Sequence, residues 1–574
     1  MRLVVMAAGL WCTLVAPSWA DSLSTTGNPS PADTFELDSS FVADAGDITD
    51  FRWLPDGRIV IITKSGTVSV RPAGGGSLVQ AGTFSVDTAS EKGLLGVAVD
   101  PQFATNQRLY FYYSANGAAP LPGSVADRQR VVMRVLPPNN QLGQETLLLH
   151  DLRGPANHDG GALDIGPDGL LYVGVGDTGN NSSTVPEPPY TPTNFYGTCL
   201  ADDPTQHGAG NGKILRISLD GSIPSSNPLV GATDVTACGP NPSTAISPGH
   251  LGAPRVEIFA WGFRNPFRLW VDPMTGKVWA GDVGEISYEE ITIVEPGRHH
   301  GWPWREGRHG WPTSKCQDVR IGTTVGNAPI QDQDCVEPVY FCRHDGIPSL
   351  DVAADGGCTA ITGGQIVDSC DWPEPFRGRY YFADSSEGTI FALTPNAARD
   401  GITGGRVDIG SVTGYPVALH TGNDGALYVA VLGGQGRIAR MTPKSPIVCS
   451  TTNTTLSGST TTITLDACAA LTGAERVACQ LDAASMTSLC SSATVDATLA
   501  STIHDRFRTV ATVVRRVIDA TPKATKRLLQ RTDRRLRTLL PKLRRADRRD
   551  RLDTNCRSEI EALVGRLREA IASL

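Results

Sequence analysis

One pattern recurs along residues 55–436: a polar turn carrying Gly, Pro, Asp or Asn, then a short apolar run rich in aromatic and β-branched residues. It reads PDGRIVIITKSG (55–66), ATNQRLYFYYS (104–114), PDGLLYVGVGDTG (167–179), MTGKVWAGDVG (274–284), FRGRYYFADSSEG (376–388) and NDGALYVAVLGGQG (423–436). Runs this short, bounded by turn residues, predict strands rather than helices. Further strands are expected at KILRISLDG (213–221), TIFALTP (389–395) and RIARMTP (437–443). Six copies of one turn-and-strand unit predict an all-β, six-bladed β-propeller, each blade a small antiparallel sheet. Two β-sandwiches would leave the repetition unexplained. Pro-, Gly- and Cys-rich insertions at 180–211, 222–254 and 298–360 read as loops gathered on one face.

The pattern changes after Pro443. A Ser/Thr-rich linker (447–465) is followed by Cys468, Cys479 and Cys490, which recur every 11 residues and so share one helix face. Apolar stripes at helical spacing continue through Ile503, Phe507, Val510, Val514 and Val517, then Leu536, Leu539, Leu540 and Leu543, then Ile560, Leu563, Leu567 and Ile571. A small C-terminal α-helical domain is expected over 466–574, after a propeller over 21–446.

Composition supports the division. The whole chain has 51 Lys+Arg and 59 Asp+Glu, with 61 Gly and 39 Pro. Residues 449–574 hold 21 basic and 13 acidic residues, leaving 30 and 46 for residues 1–448. The tail is therefore about +8 and the body about −16. The arginine-dense run from Arg527 to Arg551 reads either as a solvated helix face or as attachment to an acidic surface. Residues 1–20 (MRLVVMAAGLWCTLVAPSWA) combine a basic start, a short apolar stretch and small residues at Ser18 and Ala20. They read as a secretory signal, which predicts a periplasmic or secreted protein with no transmembrane segment and no nucleic-acid partner. Without Cys12, 12 of the 13 cysteines remain, an even number suited to disulfides in an oxidising compartment. Pairing is expected within the insertions, at Cys199 and Cys238 and among the group from Cys316 to Cys370.

Three loops carry more chemistry than a scaffold needs: Asn157-His158-Asp159-Gly160-Gly161, Gly262-Phe263-Arg264-Asn265-Pro266 and Gly281-Asp282-Val283-Gly284-Glu285. In a propeller, loops distant in sequence converge at the mouth of the central channel. A histidine there suits a general base, and a carboxylate behind it would fix its tautomer. The plain alternatives are a turn histidine, an inter-blade arginine, and solvated turn positions for Asp282 and Glu289. Glycine pairs would let a flat ligand approach the backbone.

These pieces, in order, resemble the glucose/sorbosone dehydrogenase family of soluble six-bladed propellers. The matching segments are EKGLLGVA (91–98), NHDGGALDIGPDGLLYVGVGDTG (157–179), GKILRI (212–217), AWGFRNPFR (260–268), GDVGEISYEEI (281–291), GWPWREG (301–307) and ITGG (361–364). The resemblance implies oxidation of an aldose sugar at its anomeric carbon, with pyrroloquinoline quinone (PQQ) as cofactor and an electron acceptor beyond it. It implies His158 as general base, Asp177 as its orienting carboxylate, and Arg264 and Asn265 as quinone contacts. Glu91 falls where the family places a polar contact, and Gly284 and Glu285 where backbone carbonyls hold calcium. The same propeller occurs in hedgehog-interacting proteins, so a non-catalytic carbohydrate- or protein-binding role is the alternative. PQQ is a tricarboxylate, yet the late-blade lysine and arginines of the family are replaced here by Ser385-Ser386 and by YPVALHTGNDG (415–425). Arg305, Arg308, His299 and His300 are the candidates to make up that charge.

Overall fold

The six turn-and-strand units become the second strands of six sheets in a computed structural model. The model describes residues 21–116, 127–153, 157–177, 210–230, 256–285, 287–302, 305–310, 324–325, 328–329, 335–344, 355–369 and 371–445, with scattered positions between 510 and 571. The second strands are Ile59–Thr63, Arg108–Ser114, Leu170–Val175, Val278–Asp282, Arg379–Asp384 and Leu427–Leu432, in blades 1 to 6 respectively. Each blade is covered on both faces by its neighbours. A second strand therefore buries both sides and reads as an unbroken apolar run, as Ile59–Thr63 does. The next strand of blade 1, Thr67–Arg71, alternates buried and half-buried positions instead.

The innermost strands are Ile48–Trp53, Leu94–Val99, Ala162–Ile165, Pro266–Val271, Ile361–Val367 and Tyr415–Thr421. Each contacts the next and the sixth contacts the first, which closes a ring around a central axis. This is the six-bladed propeller expected from the repeats.

Closure uses a strand that the repeat pattern did not reveal. Blade 6 takes three strands from Tyr415–Pro443 and its outermost strand, Phe35–Val42, from the other end of the chain. Phe35 stands opposite Pro443 and Asp38 opposite Arg440. Phe35 is buried and packs on Trp372 of blade 5, with ring centroids 4.7 Å apart. Ser22–Leu23 adds to the edge of blade 5 against Ile402–Ser411.

Blade 4 carries a disulfide. Tyr340–His344 pairs with Tyr288–Val294 and, in parallel, with Asp355–Cys358, and Cys342 is bonded to Cys358 across that parallel pair. Cys335 is also disulfide-bonded. Cys199 and Cys238 lie outside the described residues, as do residues 1–20 and the linker. Contacts divide the chain into units Met1–Ile447 and Val448–Leu574. In the second unit the described positions have helical backbone, and Val510, Leu536, Leu543, Ile560, Leu567 and Ile571 are buried. Most of residues 466–574, where a helical domain is expected, lies outside the described residues. Among the described residues no helix is long and apolar enough to cross a membrane.

Candidate active site

His158 lies in the loop that leads into the inner strand of blade 3. Its φ is +57°, a left-handed conformation uncommon for a residue with a side chain. Neighbouring blades hold it there. The Glu91 carboxylate accepts the His158 backbone N–H at 2.7 Å, and Ser90 Oγ donates to Asn157 Oδ1 at 2.5 Å. A Cβ on Gly176 would sit 2.1 Å from the His158 carbonyl oxygen, so only glycine allows this approach. The expected role of the Gly160-Gly161 pair changes on this account. A Cβ on Gly161 would meet Leu95 Cβ at 2.5 Å, so that glycine lets the loop pack on blade 2 rather than admit a flat ligand. Asp159 is buried. Gln129 Nε2 donates to its Oδ1, the Tyr112 hydroxyl donates to its carbonyl at 2.8 Å, and Oδ2 has no partner among the described residues. Burial, aided by the charge of Glu91, pushes the Asp159 carboxyl up to about 8.

Asp177 follows the second strand of blade 3, its N–H donating to the Arg264 carbonyl at 2.7 Å. It is fully buried and both carboxylate oxygens are committed. Oδ1 lies 2.6 Å from His158 Nδ1, and Oδ2 accepts from Trp302 Nε1 at 2.7 Å. A carboxylate fixed at both ends holds the proton of the neutral imidazole on Nδ1 and leaves the Nε2 lone pair available. The histidine and aspartate expected to work together are thus brought into contact. Trp302 belongs to the GWPWREG segment but no role could be read for it, because its partner lies 125 positions away.

Arg264 and Asn265 precede the inner strand of blade 4. Their backbone N–H groups donate to Asp282 Oδ2 and Oδ1 at 3.0 and 2.7 Å. Asp282 is therefore a buried clamp and not a solvated turn residue, and burial pushes its carboxyl up to about 7. Glu289 is likewise fully buried, accepting N–H groups of Gly284 and Ile361 and lying 2.6 Å from His344 Nε2. The Arg264 guanidinium donates to the Val283 carbonyl at 3.0 Å and lies 5.6 Å from the centroid of the Trp302 ring. Trp302 so touches both the carboxylate behind His158 and the arginine. Asn265 Oδ1 is buried with no partner among the described residues.

The segment Gly284–Glu285 is shaped by Glu306, whose Oε1 accepts the N–H groups of Glu285, Ser287 and Tyr288. The Glu285 carboxyl is pushed up to about 7, chiefly by burial, with Arg264 acting the other way. No group of three or more His, Cys, Asp or Glu side chains is arranged to hold a metal among the described residues. Calcium held by the carbonyls of Gly284 and Glu285 would need none. The carbonyl oxygens are hard donors of the kind calcium takes, and a cation there would favour ionisation of the buried Asp282 and Glu285 carboxyls, against repulsion from the positive charge of Arg264. For PQQ, the Arg264 guanidinium donates to the Val283 carbonyl alone among the described residues and keeps further N–H groups that suit a quinone oxygen, whereas the buried Asn265 Oδ1 is an acceptor and suits an N–H or O–H of a ligand.

The four residues expected to supply further charge are engaged elsewhere. Arg305 pairs with Glu337, and Arg308 donates to the Pro338 carbonyl over the Phe341 ring. His300 is driven down to about 3 by burial, hence neutral, and stacks on Phe263. His299 Nδ1 accepts the Gly301 N–H at 2.9 Å.

A family model described as Glucose / Sorbosone dehydrogenase matches residues 48–354. Quinoprotein glucose dehydrogenase B of Acinetobacter calcoaceticus is 28% identical over 265 residues, 44% of this chain and 49% of that protein. The chain thus spans about half the length of that curated relative. Hedgehog-interacting protein of Homo sapiens is 27% identical over 232 residues, 38% of this chain and 27% of that protein. Among solved structures, soluble aldose sugar dehydrogenase of Escherichia coli in its apo form superposes with a TM-score of 0.50 at 19% identity. That match covers 72% of this chain and 100% of the other, and it speaks to the fold.

Proposed function

The chain belongs to the glucose/sorbosone dehydrogenase family, and from that premise we propose that it oxidises an aldose sugar at the anomeric carbon, using PQQ and calcium. The observation that carries the proposal is the His158–Asp177–Trp302 chain at the loop where three blades meet. Asp177 orients the ring, and His158 Nε2 takes the proton of the anomeric hydroxyl as the sugar becomes a lactone. When bound, PQQ supplies an electrophilic quinone that accepts the hydride of C1, with calcium as Lewis acid beside it. Arg264 and Asn265 would hold the quinone edge, and the carbonyls of Gly284 and Glu285 the calcium. Arg264 also favours negative charge as it develops on the acceptor side. Glu91 acts at one remove, by fixing the His158 backbone. The leader-like residues 1–20 support action after export, in a periplasm or outside the cell.

A second reading is a propeller of the hedgehog-interacting type that binds a carbohydrate or protein without chemistry. It is favoured by the commitment of Arg305 and Arg308 to other partners, which leaves the cofactor's carboxylates few cations. Dye reduction by aldoses with added PQQ and calcium separates the two. Under the enzymatic reading, His158→Ala lowers turnover by ~10²–10⁴-fold with PQQ affinity nearly unchanged, and Asp177→Asn has a smaller effect. Equal rates in wild type and His158→Ala exclude His158 as the base. No rate in either leaves the binding reading.

A further inference from the structure

Further along the same inner strands, past the loops that bear His158 and Arg264, a partly open cavity of about 230 Å³ lies between the blades. Arg52, Asp164, Arg268, Gln365, His420 and Thr421 line it, from five different blades. Arg268 and Gln365 are buried and the other four half-buried, and the charges are unevenly answered.

Arg52 is well matched. It forms an ion pair with Asp50 at 2.8 Å and donates to the Leu163 carbonyl at 3.0 Å. The same Asp50 oxygen lies 2.7 Å from His420 Nε2. Burial and the charge of Arg52 drive His420 down to about 4, so its ring is neutral and adds no charge. Asp164 is occupied by backbone, accepting N–H groups of Ile165 and Val271 at 3.0 and 2.8 Å.

Arg268 is different. It is only 5% exposed. Its two terminal nitrogens donate to the carbonyls of Phe267 and Thr49 at 2.9 and 2.6 Å, its guanidinium lies over the Phe267 ring at 4.6 Å, and its Nε has no partner among the described residues. Among the described residues no carboxylate lies within ion-pair distance of it. Buried charges are ordinarily paired, because an uncompensated one loses its hydration with little in return. Arg268 faces a cavity instead; the charge of Asp50 reaches it, but that carboxylate is ion-paired with Arg52 and is not within ion-pair distance of Arg268 among the described residues.

We infer that the axial cavity binds a small monovalent anion, a halide or a carboxylate of formate size, with Arg268 as its principal ligand. The surplus charge is at most one, which disfavours a dianion, and the volume leaves room for the ion with a few waters. The inference is independent of any sugar chemistry at the other site.

The direct test uses the full chain crystallised without halide and soaked in sodium bromide. An anomalous peak in the axial cavity beside the Arg268 guanidinium is expected. A cavity holding only water in the soaked crystals overturns the inference. In solution, line broadening of the chloride NMR resonance should report the same site. Arg268→Met should weaken it by roughly tenfold or more, as loss of a charge-assisted contact does, while Arg268→Lys should retain most of it. Wild-type affinity in Arg268→Met would remove Arg268 as the ligand and overturn the assignment. Competition with formate distinguishes the sources: displacement assigns small carboxylates to the site as well, and persistence assigns it to halides. Should Arg268→Met not fold, the bromide map of the wild type decides alone.

Discussion

Trp302 is the residue whose contribution is most cleanly separable, because phenylalanine would keep its ring under Arg264 and remove only the N–H that Asp177 accepts. Trp302→Phe should lower turnover roughly ten- to a hundredfold, the range for a lost hydrogen bond to a charged group. It should also change the Asp177–His158 hydrogen bond, since a carboxylate that has lost one donor pulls harder on Nδ1–H, which nitrogen NMR of the apo protein would detect. Unchanged imidazole resonances with reduced turnover would mean that the indole acts only by packing. Asp159 offers a test through pH. Its carboxyl sits at about 8 when folded and near 3.8 when unfolded, so the native state holds a proton that the unfolded chain releases over that window. The contribution is therefore fully present below about pH 4 and lost as pH rises through about 8. Asp159→Asn cannot titrate, so the stability difference between wild type and variant should shift against the wild type from pH 5 to pH 9. Urea midpoints at four or five pH values would show it, and a constant difference would contradict the burial argument. His158 and Asp177 were legible from the sequence as loop residues flanking one strand, and their pairing as base and orienter came from the family resemblance. Asp282, Glu289 and Trp302 were not, since a carboxylate or an indole near a turn looks the same whether its partner is water or a backbone brought from another blade.

At the scale of the element, legibility followed burial. Second strands stood out because both faces are covered, and their composition shows it without any need for period. Inner strands hid themselves: Ile48–Trp53 reads ITDFRW, with Arg52 lining the axial cavity and Asp50 paired to it, which breaks the apolar run. The closing strand Phe35–Val42, FELDSSFV, is outermost and buries only its ends fully, so its sequence resembles a loop. Contact between blades is also set by single atoms. A Cβ on Gly96, in the inner strand of blade 2, would lie 1.9 Å from the Gly161 carbonyl oxygen in the loop that carries His158. Neither partner can yield without moving backbone. Gly96→Ala should destabilise the protein by about 1–3 kcal/mol or more, read as a lower urea midpoint, and should displace His158 even where the fold survives. A variant as stable as wild type would show that the two blades can part without consequence.

The whole propeller is a ring whose two halves of blade 6 lie nearly the full body apart in sequence. Its architecture was legible because repetition survives variation in each copy, whereas the join is made only once and leaves no repeat to find. That join sets the order of events in folding. Blades 1 to 4, and blade 5 apart from the edge pairing of Ser22–Leu23, consist mainly of contacts between neighbours and can form as they are synthesised, but Phe35–Val42 has no partner until Arg437–Pro443 exists. Until then an edge strand stays unpaired, and bringing it home means closing a loop of about 400 residues, an entropic toll that grows only slowly with length but is met all at once. Long-range pairing of this kind makes folding slow. A permuted chain in which Phe35–Val42 follows Lys444 turns the same pairing into a local hairpin. It should refold faster than the natural order in stopped-flow experiments, with the unfolding rate nearly unchanged, because the finished ring would be the same while the waiting time would be gone.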